Sequence, residues 1–182
     1  EQPPLYYWCV ALVYKLFGFD PPEIGRIVSS LFGLGGLLWT YLFACHLARL
    51  RGGAETGRTV GALAALALGL SVEYLNTAHR VVVDSSLAFF TTLSAYGILR
   101  GWTAARPGPR FSWLVAGYAS ASLAFLAKGP IGLAIPGLAL FAMVVALRQP
   151  QSVRRAHLWL SPVCFIAITS PWFYLLYQKT GW

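Results

Sequence analysis

Six apolar stretches follow one another along the chain, at residues 27–48, 59–78, 85–99, 111–127, 129–147 and 158–178. Crossing a bilayer core takes about 20 helical residues, within a range of roughly 17–25. Five of the six meet that length, and the third reaches it by extending to Trp102 while Arg100 snorkels toward the polar layer. Only the stretch 59–78 holds a formal charge, Glu73. The pattern predicts an all-α integral membrane fold with about six transmembrane helices. A shorter apolar run at 5–14 follows Pro3-Pro4 and cannot span. It predicts a short interfacial helix at the N-terminus, with Tyr6, Tyr7, Trp8 and Tyr14 at headgroup level. Asp20-Pro21-Pro22-Glu23 reads as the start of the next helix, with Asp at the N-cap, Pro at N1 and Glu at N3.

The breaks are readable as well. Gly52-Gly53 and Arg106-Pro107-Gly108-Pro109 mark turns on one side of the membrane, and Lys128-Gly129-Pro130 marks one on the other. Gly33, Gly35 and Gly36, then Gly61, Ala65 and Gly69, supply small residues where membrane helices approach closely. Pro136, Pro162 and Pro171 are expected kinks. No internal repeat, low-complexity tract or soluble linker interrupts the series.

Composition narrows the class further. Mean hydropathy is +0.61, and only 11% of residues are charged, which excludes a soluble domain. The net charge of +8 reflects topology and not nucleic-acid binding. One set of alternate loops carries Arg49, Arg51, Arg58, Arg100, Arg106, Arg110, Arg148, Arg154 and Arg155 with Glu55 as its one acid. The opposite set carries Lys15, Arg26, Arg80, Lys128 and Lys179 together with Glu1, Asp20, Glu23, Glu73 and Asp84. The positive-inside rule makes the first set cytoplasmic, so Asp84 and both termini are expected outside. The chain starts at Glu1 and stops at Trp182 directly after an apolar run, so both ends read as internal to a longer membrane protein. Cys9, Cys45 and Cys164 share no metal-binding spacing and read as buried thiols.

The candidate chemistry gathers on the expected outer face. Asp84 opens the third apolar stretch, where it reads as an N-cap, as a partner for Arg80 four residues earlier, or as a catalytic or substrate-binding carboxylate. Glu73 lies inside a span by length, and intramembrane carboxylates face bundle interiors or wet cavities. Arg80 and Lys128 are either membrane anchors or ligands for an anionic headgroup. His79 reads as an interfacial polar residue or a site residue, and Tyr6 and Tyr7 as an aromatic belt or a sugar platform. His46 reads as structural. The sequence holds no phosphate-binding loop, dinucleotide fingerprint, zinc-protease motif or serine elbow, and no oxygen cluster suited to a metal.

Together these residues resemble a known family. Glu1-Gln2-Pro3-Pro4-Leu5-Tyr6-Tyr7-Trp8, followed by Leu16-Phe17-Gly18 and Arg26, is similar to the E-K-P-P-L-Y-Y-W … L-F-G … R stretch of bacterial GT-C glycosyltransferases, relatives of protein O-mannosyltransferases and of the lipid A aminoarabinose transferase. Arg80-Val81-Val82-Val83-Asp84-Ser85-Ser86-Leu87-Ala88-Phe89-Phe90 resembles that family's R-x-x-x-D-x-x-L-x-F-F segment. Leu126-Ala127-Lys128-Gly129-Pro130 resembles its L-T-K-G-P, and Ser170-Pro171-Trp172-Phe173-Tyr174 its L-P-W-Y. The matches run in order over nearly the whole chain.

The resemblance implies one GT-C-type transmembrane domain over 1–182, part of a larger enzyme of the bacterial inner membrane. Such an enzyme transfers a sugar, with inversion, from a polyprenyl-phosphate carrier to a glycolipid, glycan or protein acceptor on the periplasmic face. It casts Asp84 as catalytic, and Gln2, Tyr6, Tyr7, Glu73, His79, Arg80 and Lys128 as substrate-binding. Two departures stand out. The family's main acidic residues lie in an outer loop upstream of this stretch, so the fragment alone is expected to be inactive. The family's usual Lys after the first Glu is Gln2 here, an amide without charge. The rival reading is a transporter or flippase whose path is lined by Glu73, Arg80 and Asp84. Such a protein often shows inverted repeats and paired broken helices, and neither is visible.

Overall fold

The computed structural model describes residues 4–17, 23–80, 82–147 and 156–180. Among them every regular element is a helix: α1 Leu5–Phe17, α2 Glu23–Gly69, α3 Val72–His79, α4 Asp84–Thr103, α5 Pro107–Lys128, α6 Ile131–Leu147 and α7 Leu160–Thr180. Gln2 and the capping sequence at Asp20 to Pro22 lie outside the described residues.

α2 is two antiparallel arms. Its interior Gly53 has φ 82° and ψ −172°, a conformation that only glycine adopts without strain, and the helix reverses there. The second arm then runs back along the first: Gly57 and Gly61 abut Cys45, Gly69 faces Leu37, Gly36 faces Tyr74 and Gly33 faces Ala78. The expected spans 27–48 and 59–78 therefore exist as a hairpin. The second is interrupted, because the helix ends at Gly69 and Ser71 adopts extended geometry before α3 resumes. Tyr74 Oη donates to the Gly33 carbonyl (2.7 Å), and Ser30 Oγ donates to the Ala78 carbonyl (3.1 Å), so α3 stays bound to the first arm despite the break.

α4 meets α3 at 114° and pairs with α5. A Cβ on Gly97 would fall 2.8 Å from the Gly117 Cα, and one on Gly101 would fall 2.6 Å from the Leu114 side chain. The helices can touch backbone to backbone only because these positions carry no side chain. Around the crossing lie two apolar clusters, one of Ile98, Leu114, Tyr118 and Leu160, the other of Leu99, Trp102 and Met143. Here too, His46 Nε2–H donates to Thr103 Oγ1 (2.8 Å) while its Nδ1 accepts from Arg100 (3.3 Å), and the Arg100 guanidinium lies over the Trp113 ring. Buried residues run along both helices, from Ser85 to Trp102 on α4 and from Leu114 to Ala127 on α5. Cys45 is buried, while Cys9 and Cys164 are half-buried, and all three are free thiols.

Long apolar surfaces remain open on α2, α6 and α7, among them Leu34, Leu38, Leu63, Phe141, Ile166 and Phe173. By length and composition, Gly25–Gly69 and Leu160–Gln178 can cross a membrane, and Val72–His79 with Asp84–Thr103 qualifies as a bent pair. The 45 residues of Gly25–Gly69 would reach roughly 68 Å if straight, more than twice a hydrocarbon core, and folding at Gly53 divides them into two passes. The test returns fewer spans than the six expected. α6 has only 17 residues, and Ser112, Ser120, Ser122 and Lys128 dilute the apolar content of α5.

Candidate functional site

Asp84 is the first residue of α4, and its carboxylate oxygen Oδ1 accepts a hydrogen bond from the ammonium group of Lys128, the last residue of α5. The antiparallel register set where Gly97 meets Gly117, carried back toward the start of α4, puts these two ends side by side. α5 stops at Lys128 because Gly129 takes φ 72° and donates its N–H to the Phe125 carbonyl (2.7 Å). The start of α4 is fastened by Ser85 and Ser86, both buried, whose hydroxyls donate to the carbonyls of Val82 (3.2 Å) and Val83 (2.7 Å).

Two readings of Asp84 are corrected by this geometry. The N-cap position belongs to Val83 and no side-chain cap is made, because the serines bond backward to the preceding carbonyls. Arg80 ends α3 with extended geometry (φ −95°, ψ 155°), so the helix does not continue from it toward Asp84 and the four-residue pairing is lost. Among the described residues, the cation beside Asp84 is Lys128, 44 residues away. Both side chains are about half exposed, Lys128 at 47% and Asp84 at 45%. A pair this accessible contributes only about 0–1 kcal/mol and is easily exchanged.

Asp84 is the charged residue in the lining of a cleft of about 280 Å³. Its walls are Gly36 and Leu68 from the two arms of α2, Tyr74 from α3, Leu87, Ala88, Thr91 and Thr92 from α4, and Ile135 from α6. Apart from Asp84, Tyr74 and the two threonines the lining is apolar. Ligand sites are commonly of this kind, with mostly hydrophobic walls and a few polar groups to fix orientation. Tyr74 and Ile135 carry no signal in sequence that places them at the cleft. Leu87, Ala88 and Thr91, however, lie three, four and seven residues after Asp84, on its face of α4, and that spacing was available.

The remaining candidates are distributed as follows. Tyr6 is buried, with its hydroxyl 2.7 Å from Ser29 Oγ and donating to the Gly25 carbonyl (3.1 Å), so it fastens α1 to α2. Burial pushes its phenol above the ordinary value, keeping it a donor. Tyr7 is exposed and meets Tyr6 edge to face, with ring centroids 6.0 Å apart. Glu73 is exposed in the first turn of α3 and not enclosed by the bundle. His79 is exposed, its Nδ1–H donating to the Leu75 carbonyl (2.8 Å), which leaves Nε2 as the outward atom. Arg80 is exposed beyond α3. Asp84 and Lys128 are brought into contact; Tyr6 is drawn into the packing.

Against known proteins, residues 1–175 match the profile of the dolichyl-phosphate-mannose-protein mannosyltransferase family. The chain belongs to this family. As a GT-C family member it resembles two uncharacterized proteins of Aquifex aeolicus, at 32% identity over 98% of the chain and 33% of the relative, and at 26% over 100% and 37%. Among solved structures it resembles ArnT from Cupriavidus metallidurans bound to undecaprenyl phosphate, with TM-score 0.82 and 32% identity over 100% of this chain and 32% of that one. The apo state of the same enzyme superposes with TM-score 0.80. The all-helical membrane fold is thus the family's own, and the chain spans about a third of the length of these relatives.

Proposed function

We propose that the chain is the part of a GT-C glycosyltransferase that receives a polyprenyl-phosphate-linked sugar and helps pass it to an acceptor hydroxyl on the periplasmic side of the inner membrane. One observation carries this reading: the Asp84 carboxylate lines an apolar cleft and is paired there with the Lys128 ammonium ion. An isoprenoid chain needs the apolar walls, its phosphate needs a cation, and the reaction needs a proton acceptor. The family match and the likeness to an enzyme solved with undecaprenyl phosphate support the same assignment.

The chemistry follows from these groups. The acceptor hydroxyl oxygen attacks the anomeric carbon from the face opposite the phosphate, and the new C–O bond forms as the old one breaks. The electron pair of the broken bond leaves on the phosphate oxygen, and the configuration inverts. The hydroxyl proton passes to the Asp84 carboxylate. Lys128 offsets charge developing on the leaving phosphate, with Arg80 and Gln2 as further contacts to the headgroup. Tyr7, Glu73 and His79 line the approach of the acceptor, which is a glycolipid, a glycan or a protein.

The test is Asp84→Asn in the full-length protein, assayed for transfer from a polyprenyl-phosphate sugar. Transfer is expected to be abolished or strongly reduced while membrane insertion is unchanged. Unaltered turnover would remove Asp84 from the reaction.

A further inference from the structure

Lys128 has two possible anionic partners but one ammonium group. In the structure that group is spent on Asp84, whereas the reaction requires it at the carrier phosphate. We propose that Lys128 is exchanged between them: the arriving phosphate draws the ammonium group off Asp84 and so frees the carboxylate only when a donor is in place. This inference rests on the transferase reading and adds to it an order of events, carrier first and proton acceptor second.

The geometry suits an exchange better than a fixed strut. Both partners are about half exposed, at 47% and 45%, so neither must be stripped of water or rehydrated when the pair opens. Lys128 ends α5, and the chain turns away at Gly129 with its own backbone hydrogen bond to Phe125. The backbone is thereby fixed while the four-carbon side chain remains free to turn, and its three donors suit a phosphate as well as a carboxylate. Asp84 is not stranded when the cation leaves. It occupies the first turn of α4, where the unpaired amides and the helix dipole favour a negative charge. Asp84 also lines the cleft, so a headgroup whose tail occupies that cleft arrives beside the pair.

An exchange makes a prediction that a structural ion pair does not. If Asp84 competes with phosphate for Lys128, removing the Asp84 charge strengthens carrier binding while removing its chemistry. The experiment measures binding of a polyprenyl monophosphate to the full-length protein in nanodiscs, for wild type, Asp84→Asn, Lys128→Gln and the double variant, with Asp84→Ala as a second neutral variant should Asn misfold. Lys128→Gln is expected to weaken binding about tenfold, the scale of one charge-assisted hydrogen bond. Asp84→Asn or Asp84→Ala is expected to tighten it about threefold, the worth of releasing an exposed pair. The double variant is expected to match Lys128→Gln alone. Unchanged or weaker binding in both neutral Asp84 variants overturns the exchange. If wild type still transfers sugar in that case, the transferase reading survives it. If wild type neither binds the carrier nor transfers sugar, both fall.

Discussion

The Tyr6 hydroxyl lies 2.7 Å from Ser29 Oγ and donates to the Gly25 carbonyl, so a buried phenol ties α1 to α2. Tyr6→Phe keeps the ring and removes both contacts, leaving a buried hydroxyl and carbonyl short of a partner. A loss of about 1 kcal/mol is expected, read as earlier thermal unfolding of the full-length protein in detergent. Carrier binding should change little, because this hydroxyl is turned into the packing and away from the cleft.

Gly97 and Gly137 test the close helix contacts from opposite sides. A Cβ at Gly97 strikes the Gly117 backbone, whereas one at Gly137 meets nothing within 4 Å. Gly97→Val should cost about 3 kcal/mol or prevent assembly. Gly137→Ala, within α6, should be neutral or raise stability by up to about 1 kcal/mol. Yield and melting temperature of the two variants check both.

The reversal at Gly53 gives a third expectation. No side chain crowds this residue, so the cost of Gly53→Ala comes from the backbone alone, about 1–3 kcal/mol for a conformation reserved for glycine. Limited proteolysis should cut the variant faster at the hairpin tip, while transfer by the surviving folded fraction keeps its kcat.

Ala88 tests the cleft itself. It lies one turn beyond Asp84 and contributes to the wall. Ala88→Phe places a ring in a space of about 280 Å³, and binding of a polyprenyl monophosphate should weaken about tenfold or more. Since the substitution leaves both charged partners in place, the response to Asp84→Asn should persist in what binding remains.

Much of this was legible in the chain. The all-helical character, the Gly52-Gly53 turn and the end of a helix at Lys128-Gly129-Pro130 all read correctly, because each depends on local composition or backbone freedom. The break at Leu70-Ser71 did not, since no proline, glycine pair or charge marks it and the hydrogen bonds of Tyr74 and Ser30 to the other arm hold the pieces in line. The partner of Asp84 was misread for a different reason. Lys128 becomes its neighbour through the α4–α5 register, a property of two distant glycines, whereas the local candidates failed on backbone conformation at Arg80 and Val83. Tyr6 shows the same limit: an aromatic next to a membrane surface looks alike in sequence whether it faces a ligand or a serine.

The glycine contact has a mechanical side. Gly97 and Gly117 lie 13 and 11 residues from Asp84 and Lys128, so each charged side chain stands at the tip of an arm on the order of 20 Å long. Along these arms the helices stay packed: Ser85, Ser86 and Leu87 on α4 and Ala124, Leu126 and Ala127 on α5 are buried. The movable parts at the tips are the two half-exposed side chains. The glycine contact thus works as a ruler, setting the spacing of the charges from a distance and leaving only the side chains to swing.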